Sequence, residues 1–186
     1  KTNFTFEEVH FAYCPERVLP GNIFNELIHN DRVIGGLTME ATNKAKDLYA
    51  KICKGNLFTT NSKTAEMVKL TENSFRDINI AFANELSIIC DEINIDINEL
   101  IKLSNHHPRV NILKPGCGVG GHCIAIDPWF IASQFPNITP LIQQGRRVNL
   151  NKTIWVINKI KKICNNFFTE NGKSPLVGCL GLTFKP

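Results

Sequence analysis

The feature that most constrains this chain is the run from Ser62 to Ile93. Val68, Phe75, Ile78, Phe82, Leu86, Ile89 and Ile93 recur there at intervals of three, four or seven. That is the period of an apolar stripe on an α-helix, so one long helix with a buried face is predicted over 62–93. Ser62 is placed to cap its N-terminus. A domain built round such a helix needs other helices beside it. A short one is predicted at Ile97–Ser104 and a long one from Pro140 to Phe168, with no proline and no glycine after Gly145. Pro108 and the glycine-rich stretch 115–121 interrupt regular structure between them.

The segments on either side read differently. Residues 6–13 suggest a strand leading into Cys14-Pro15-Glu16. Arg32–Gly36 reads as a short strand ending on glycines. A helix from Met39 to Cys53 follows, with Ala41, Ala45, Leu48, Tyr49 and Ile52 on one face. A strand is then predicted at 56–60, completing a β–α–β rhythm. Leu176–Leu182 reads as a buried strand opening another α/β unit. The expected organisation is therefore an α/β remnant over 1–61, a mainly α-helical domain over 62–140, a connecting helix over 141–173, and the start of a second α/β domain at 174–186. The chain begins at Lys1 instead of Met and ends just after an apolar run, so it is expected to be a fragment of a longer protein.

Composition narrows the function classes. The hydrophobic fraction, 43%, suits an ordinary globular chain. No apolar run approaches a membrane span, and no signal peptide is visible. The net charge of +4 comes from scattered lysines without a basic stripe interleaved with aromatics. That argues against nucleic acid and suits an anionic small ligand. Seven widely spaced cysteines without a C-x-x-C point to reduced thiols in a cytoplasmic protein.

Pro115-Gly116-Cys117-Gly118-Val119-Gly120-Gly121-His122-Cys123-Ile124-Ala125-Ile126-Asp127-Pro128 carries the most chemistry. Its glycines permit positive φ and close approach of a ligand to backbone. Cys123 follows at once, and a thiolate is the side chain best suited to attack an aldehyde. Asp127 could handle a proton or position a water. Local chemistry also allows a tight turn packed on an inert cysteine. A zinc site using Cys117, His122 and Cys123, with His106 and His107, matches no standard spacing, and no metal is expected. A phosphate cradle is not favoured either, because no glycine fingerprint stands ahead of an obvious helix. Lys69 and Asn73, four apart on the long helix, share a face away from the Phe75/Phe82 stripe. Together they could stabilise an oxyanion. Their spacing alone equally describes a solvent-facing lysine beside an asparagine.

Gly118-Val119-Gly120-Gly121-His122-Cys123, with Asp127-Pro128-Trp129-Phe130, resembles the active-site segment of the UDP-glucose/GDP-mannose dehydrogenase family. Ala65-Glu66-Met67-Val68-Lys69, with Asn73, Phe75, Asn84 and Glu85, resembles that family's central helix. Cys14-Pro15-Glu16-Arg17-Val18-Leu19-Pro20-Gly21 resembles its substrate loop, and Leu180-Gly181-Leu182-Thr183-Phe184-Lys185 the opening strand of its C-terminal domain. The four motifs occur in order and span nearly the whole chain. His122 and the loop at 15–21 are more similar to the branch acting on UDP-N-acetylmannosamine than to the UDP-glucose branch. Pro20 stands where the UDP-glucose branch has a second glutamate, and Cys117 where a proline is usual.

The resemblance implies an NAD-dependent 6-dehydrogenase of a UDP-sugar that works as a homodimer. It implies the end of a Rossmann-like NAD domain, a helical dimerisation domain and the start of a UDP-binding domain, with the NAD fingerprint itself missing. It makes Cys123 the nucleophile, Lys69 and Asn73 the oxyanion donors, Asp127 a proton or water handler, and Glu16 the base for thioester hydrolysis. Arg109 is implied to reach the neighbouring subunit's nucleotide sugar. Gly120, Gly121, Phe184 and Lys185 are implied to contact substrate. Oxyanion donors of this kind are worth on the order of 3–4 kcal/mol. The competing expectations are a truncated, inactive dimerisation module and a cysteine hydrolase.

Overall fold

The computed structural model describes residues 9–18 and 21–180. They form two compact units that divide between Thr71 and Glu72.

The first unit is α/β. In chain order it contains β1 (Ala12–Tyr13), α1 (Ile23–His29), β2 (Arg32–Gly36), α2 (Met39–Tyr49) and β3 (Leu57–Asn61). The sheet order is β1-β2-β3, with β1 antiparallel and β3 parallel to β2. Arg32 lies opposite Leu57 and Gly36 opposite Asn61. Parallel neighbours require a crossover, and α2 supplies it. Thr38 caps α2 by accepting the Ala41 N–H at 3.1 Å. β2 ends on glycines because the crossover returns so tightly. A Cβ on Gly35 would stand 2.3 Å from the Asn61 carbonyl oxygen, and one on Gly36 would stand 2.6 Å from the Thr42 nitrogen.

Several local expectations need correction. Only Ala12 and Tyr13 pair as strand among 9–13, while 6–8 lie outside the described residues. α1 was not anticipated. α2 stops at Tyr49, and Leu48 and Ile52 are exposed.

The long helix α3 (Ser62–Glu92) begins in the first unit and continues through the second. Its cap is Asn61, not Ser62: the Asn61 Oδ1 accepts the Thr64 N–H at 2.9 Å. Beyond it, Asn94 takes φ 57°, the left-handed conformation that asparagine tolerates.

In the second unit, α3 is followed by α4 (Ile97–Ser104), α5 (Asp127–Gln134) and α6 (Pro140–Asn171). The buried face of α3 is not the predicted apolar stripe. Asn73, Ser74, Asp77, Ala81, Asn84 and Cys90 are buried, whereas Phe75 is 66% and Phe82 51% exposed, with Ile89 and Ile93 also open. The reason lies in α6, which buries Gly145, Arg146, Asn149 and Lys152. A helix presenting those groups requires polar partners. Arg146 pairs with Asp77 at 2.5 Å. Asn149 donates to the Asp77 carboxylate at 2.8 Å, and Lys152 donates to the Ser87 hydroxyl at 2.6 Å. Gly145 allows close approach, since a Cβ there would lie 3.1 Å from Ile78.

α6 outlasts its predicted end at Phe168 and closes on Gly172, whose φ is 65°. Of the strand expected at 176–182, residues 176–180 are neither strand nor buried, with Leu176 and Leu180 exposed, and 181–182 lie outside the described residues. An isolated strand has no partner for its backbone groups, and no sheet neighbour for this segment is present among the described residues. No described helix is long and apolar enough to cross a membrane.

Candidate active site

In the second unit, the segment bearing Cys123 runs from α4 to α5. Gly118 and Gly121 take φ +147° and +91°, which bends the chain where L side chains are disfavoured. A turn then leads into α5. The N–H groups of Ile126 and Asp127 both donate to the Cys123 carbonyl, at 3.0 and 2.8 Å. Asp127 therefore stands one helical turn beyond Cys123, in the first turn of α5, where the helix dipole favours a carboxylate. The Asn73 amide donates to Asp127 Oδ2 at 2.6 Å. Asn73 is buried and the Cys123 thiol is exposed. Three of the predicted residues are thus linked by one side-chain bond and one backbone turn.

In the first unit, Lys69 meets Glu16, but through the backbone: its Nζ donates to the Glu16 carbonyl at 2.7 Å. The Glu16 carboxylate folds onto its own loop. One oxygen accepts the Arg17 and Val18 N–H groups at 2.7 and 3.0 Å. The other lies 3.9 Å from the Arg32 guanidinium. Although Lys69 and Asn73 are four apart on one helix, their polar groups serve different partners.

Sequence alone does not flag Arg32, since one arginine at the head of a strand has no motif. It is nonetheless buried. Its Nε donates to Cys53 Sγ at 3.0 Å, another nitrogen donates to the Leu27 carbonyl, and its guanidinium carbon lies 4.8 Å from the Tyr49 ring centre. Burial pushes the neighbouring Cys14 thiol up, against the Tyr49 hydrogen bond and the Arg32 charge. A cavity of about 470 Å³ lined by His10, Cys14, Lys44 and Tyr49 opens in this unit, but no predicted site residue lines it.

Arg109 is exposed in the turn after α4, with its N–H 3.3 Å from His107 Nδ1. Gly120 is exposed and Gly121 half-buried. Phe184 and Lys185 lie outside the described residues. Among the described residues no group of three or more His, Cys, Asp or Glu side chains could hold a metal ion.

Gly116, Gly118 and Gly121 do have the G-x-G-x-x-G spacing, which corrects the expectation that no such fingerprint is present. The context is wrong for dinucleotide binding, because no strand precedes the glycines and the helix after them waits until Asp127. The strand-to-helix turn at Gly35-Gly36 does not fit a dinucleotide phosphate either. Asn61, Ala65, Thr38 and Thr42 fill the space beside it.

Two models of one family match the chain. The NAD binding domain of the UDP-glucose/GDP-mannose dehydrogenase family matches residues 1–53, and its central domain matches 63–151. The chain belongs to the UDP-glucose/GDP-mannose dehydrogenase family. It is 56% identical over 179 residues to the UDP-N-acetyl-D-mannosamine dehydrogenase of Campylobacter jejuni, covering 96% of this chain and 43% of that protein. It is also 56% identical over 182 residues to the enzyme of the same name from Escherichia coli K12, with the same coverage. Among solved structures it superposes on a UDP-D-ManNAc dehydrogenase from Pyrococcus horikoshii with a TM-score of 0.81 at 44% identity, over 84% of this chain and 38% of that one. The chain thus spans less than half the length of the relatives it matches.

Proposed function

We propose that this chain is the central part of an NAD-dependent nucleotide-sugar 6-dehydrogenase whose substrate is UDP-N-acetylmannosamine. The observation that carries the reading is the Asn73–Asp127 hydrogen bond, with Asp127 anchored through its N–H to the Cys123 carbonyl. The bond satisfies a buried amide and at the same time holds a carboxylate one turn from an exposed thiol, the arrangement that the chemistry below uses. The names of the relatives support the sugar, although one at 52% identity is an NDP-N-acetyl-D-galactosaminuronic acid dehydrogenase.

NAD, held by residues elsewhere in the enzyme, supplies the hydride acceptor. The C6 alcohol loses a hydride and a proton to give an aldehyde. The Cys123 thiolate adds to the aldehyde carbon, and Lys69 and Asn73 stabilise the resulting oxyanion. Loss of a second hydride from this tetrahedral centre gives a thioester. Water then adds, Cys123 leaves as thiolate, and the product is a carboxylate. The steps remove four electrons from one alcohol as two hydrides, which two molecules of NAD would accept, and consume one water. Asp127 holds that water or moves its proton, and Glu16 acts as base in the hydrolysis. Arg109 reaches the nucleotide sugar of the neighbouring subunit in a homodimer, and Gly120, Gly121, Phe184 and Lys185 contact substrate. The enzyme is cytoplasmic. Its domains divide at 61, 140 and 173 into the NAD-domain part, the dimerisation domain, the connecting helix and the start of the UDP-binding domain.

The deciding experiment uses the complete enzyme, following NADH with UDP-N-acetylmannosamine, UDP-glucose and GDP-mannose. Cys123→Ser is expected to bind the sugar nucleotide and form no uronate; full turnover would remove Cys123 from the mechanism. For the 186-residue chain alone the expected rate of NADH formation is zero. Robust activity would show that this segment holds NAD unaided.

A further inference from the structure

The segment that carries Cys123 has almost no regular secondary structure, yet its backbone groups are engaged by side chains. Asn79 brackets the first part. Its amide donates to the Asn111 carbonyl at 2.9 Å and its Oδ1 accepts the Leu113 N–H at 2.9 Å. Asn105, just past α4, does the same for both polar groups of Ile112, at 2.7 and 3.0 Å. Residues 111–113 are thereby held as if paired with a strand, with asparagine amides in place of a neighbouring backbone.

The grip continues to the glycines. Asn84, fully buried on α3, accepts the Gly116 N–H at 2.8 Å. Its own amide is fixed by donating to Asn149 Oδ1 at 2.8 Å, and Asn149 is held in turn by Asp77. One residue later, the Thr153 hydroxyl of α6 donates to the Cys117 carbonyl at 2.9 Å. Gly118 then rests against the same hydroxyl: a Cβ there would come within 2.3 Å of Thr153 Oγ1. Two helices thus fix the peptide groups on either side of Gly116-Cys117, immediately before the bend that carries Cys123.

We propose that Thr153 and Asn84 are positioning residues for the reaction, setting the register of the glycine bend and hence where the Cys123 sulfur stands. This rests on Cys123 being the nucleophile. Neither residue needs to touch substrate. Asn84 anchors the segment from within the polar core, where removing it would also disturb Asn149. Thr153 is exposed and its bond to Cys117 can be removed with little effect on packing. It therefore carries the test.

The experiment uses the complete enzyme with Thr153→Val, Thr153→Ser and, in parallel, Cys123→Ser. Steady-state kinetics, thermal unfolding and the site-resolved rate of Cys123 alkylation by iodoacetamide are measured, with the parent enzyme as reference. Thr153→Val is expected to lower kcat about tenfold with KM unchanged, as a misplaced nucleophile does. It should also change the Cys123 alkylation rate and leave the unfolding temperature near that of the parent. Thr153→Ser, which keeps the hydroxyl, should restore kcat and the alkylation rate. Unchanged kcat and alkylation in Thr153→Val would overturn the proposal. So would a loss of kcat that tracks unfolding and that Thr153→Ser fails to restore. If Cys123→Ser retains full turnover, the nucleophile reading fails, and the alkylation rate alone then decides whether Thr153 places that thiol.

Discussion

Asn73 is buried, and its amide meets a carboxylate that stands one turn from a thiol. Replacing it with alanine leaves Asp127 without that donor and removes an oxyanion donor from the proposed site. Asn73→Ala is expected to lower kcat by roughly a hundredfold or more, the usual cost of such a donor. Steady-state turnover within twofold of the parent would count against the role. Spacing alone leaves Asn73 the neighbour of a solvent-facing lysine, and only the family resemblance implies that it and Asp127 serve one site. The sequence did not reveal that Lys69 would bond the Glu16 carbonyl or that Arg32 would approach the Glu16 carboxylate. Those contacts depend on how a loop folds back on a strand, and neither loop nor strand marks them by spacing.

At the scale of elements, α3 and α6 are joined by ions and amides. Asp77 is wholly buried against Arg146. Burial pushes its carboxyl up, while the Arg146 and Asn149 bonds pull it down. Asp77→Ala would strand a buried guanidinium, and destabilisation of about 3–5 kcal/mol is expected, measurable by urea unfolding. Loss of stability below about 1 kcal/mol would show that Arg146 finds another partner or water. Lys152 gives a pH signature. Burial lowers its amine from an ordinary value of 10.5. As pH rises through the lowered folded value towards 10.5, the folded state sheds the proton before the unfolded state does, so stability attributable to this residue rises. Lys152→Met should lack that rise, and identical pH profiles for the two proteins would remove the attribution. Helix position was largely legible, down to the bounds of α4, because periodicity reports it directly. The buried face of α3 was not legible, because a three-four repeat locates an apolar stripe without saying what covers it. The polar residues of α6 decided the matter, and their partners lie far away in sequence.

At the scale of the whole molecule, the uncovered stripe has a consequence. Phe75, Phe82 and Ile89 follow at intervals of seven, with Ile93 four further on, and all four are exposed. Residues seven apart lie nearly in line along a helix, so these side chains form one apolar band within the second unit. Bands of this kind on soluble proteins mark surfaces that meet a partner. The proposed partner is a second copy of the chain, joined through the region from Ser62 to Ser104, with Arg109 in the adjoining turn close to the neighbour's substrate. Placing lysines at Phe75 and Phe82 together should bury two charges at that interface and split the dimer, while leaving α3 intact because neither side chain supports the polar core. Sedimentation velocity at micromolar concentration is expected to show a dimer for the parent and a monomer for the double variant, with circular dichroism unchanged. A monomeric parent would remove the dimer, and a double variant that still dimerises would move the interface off this band.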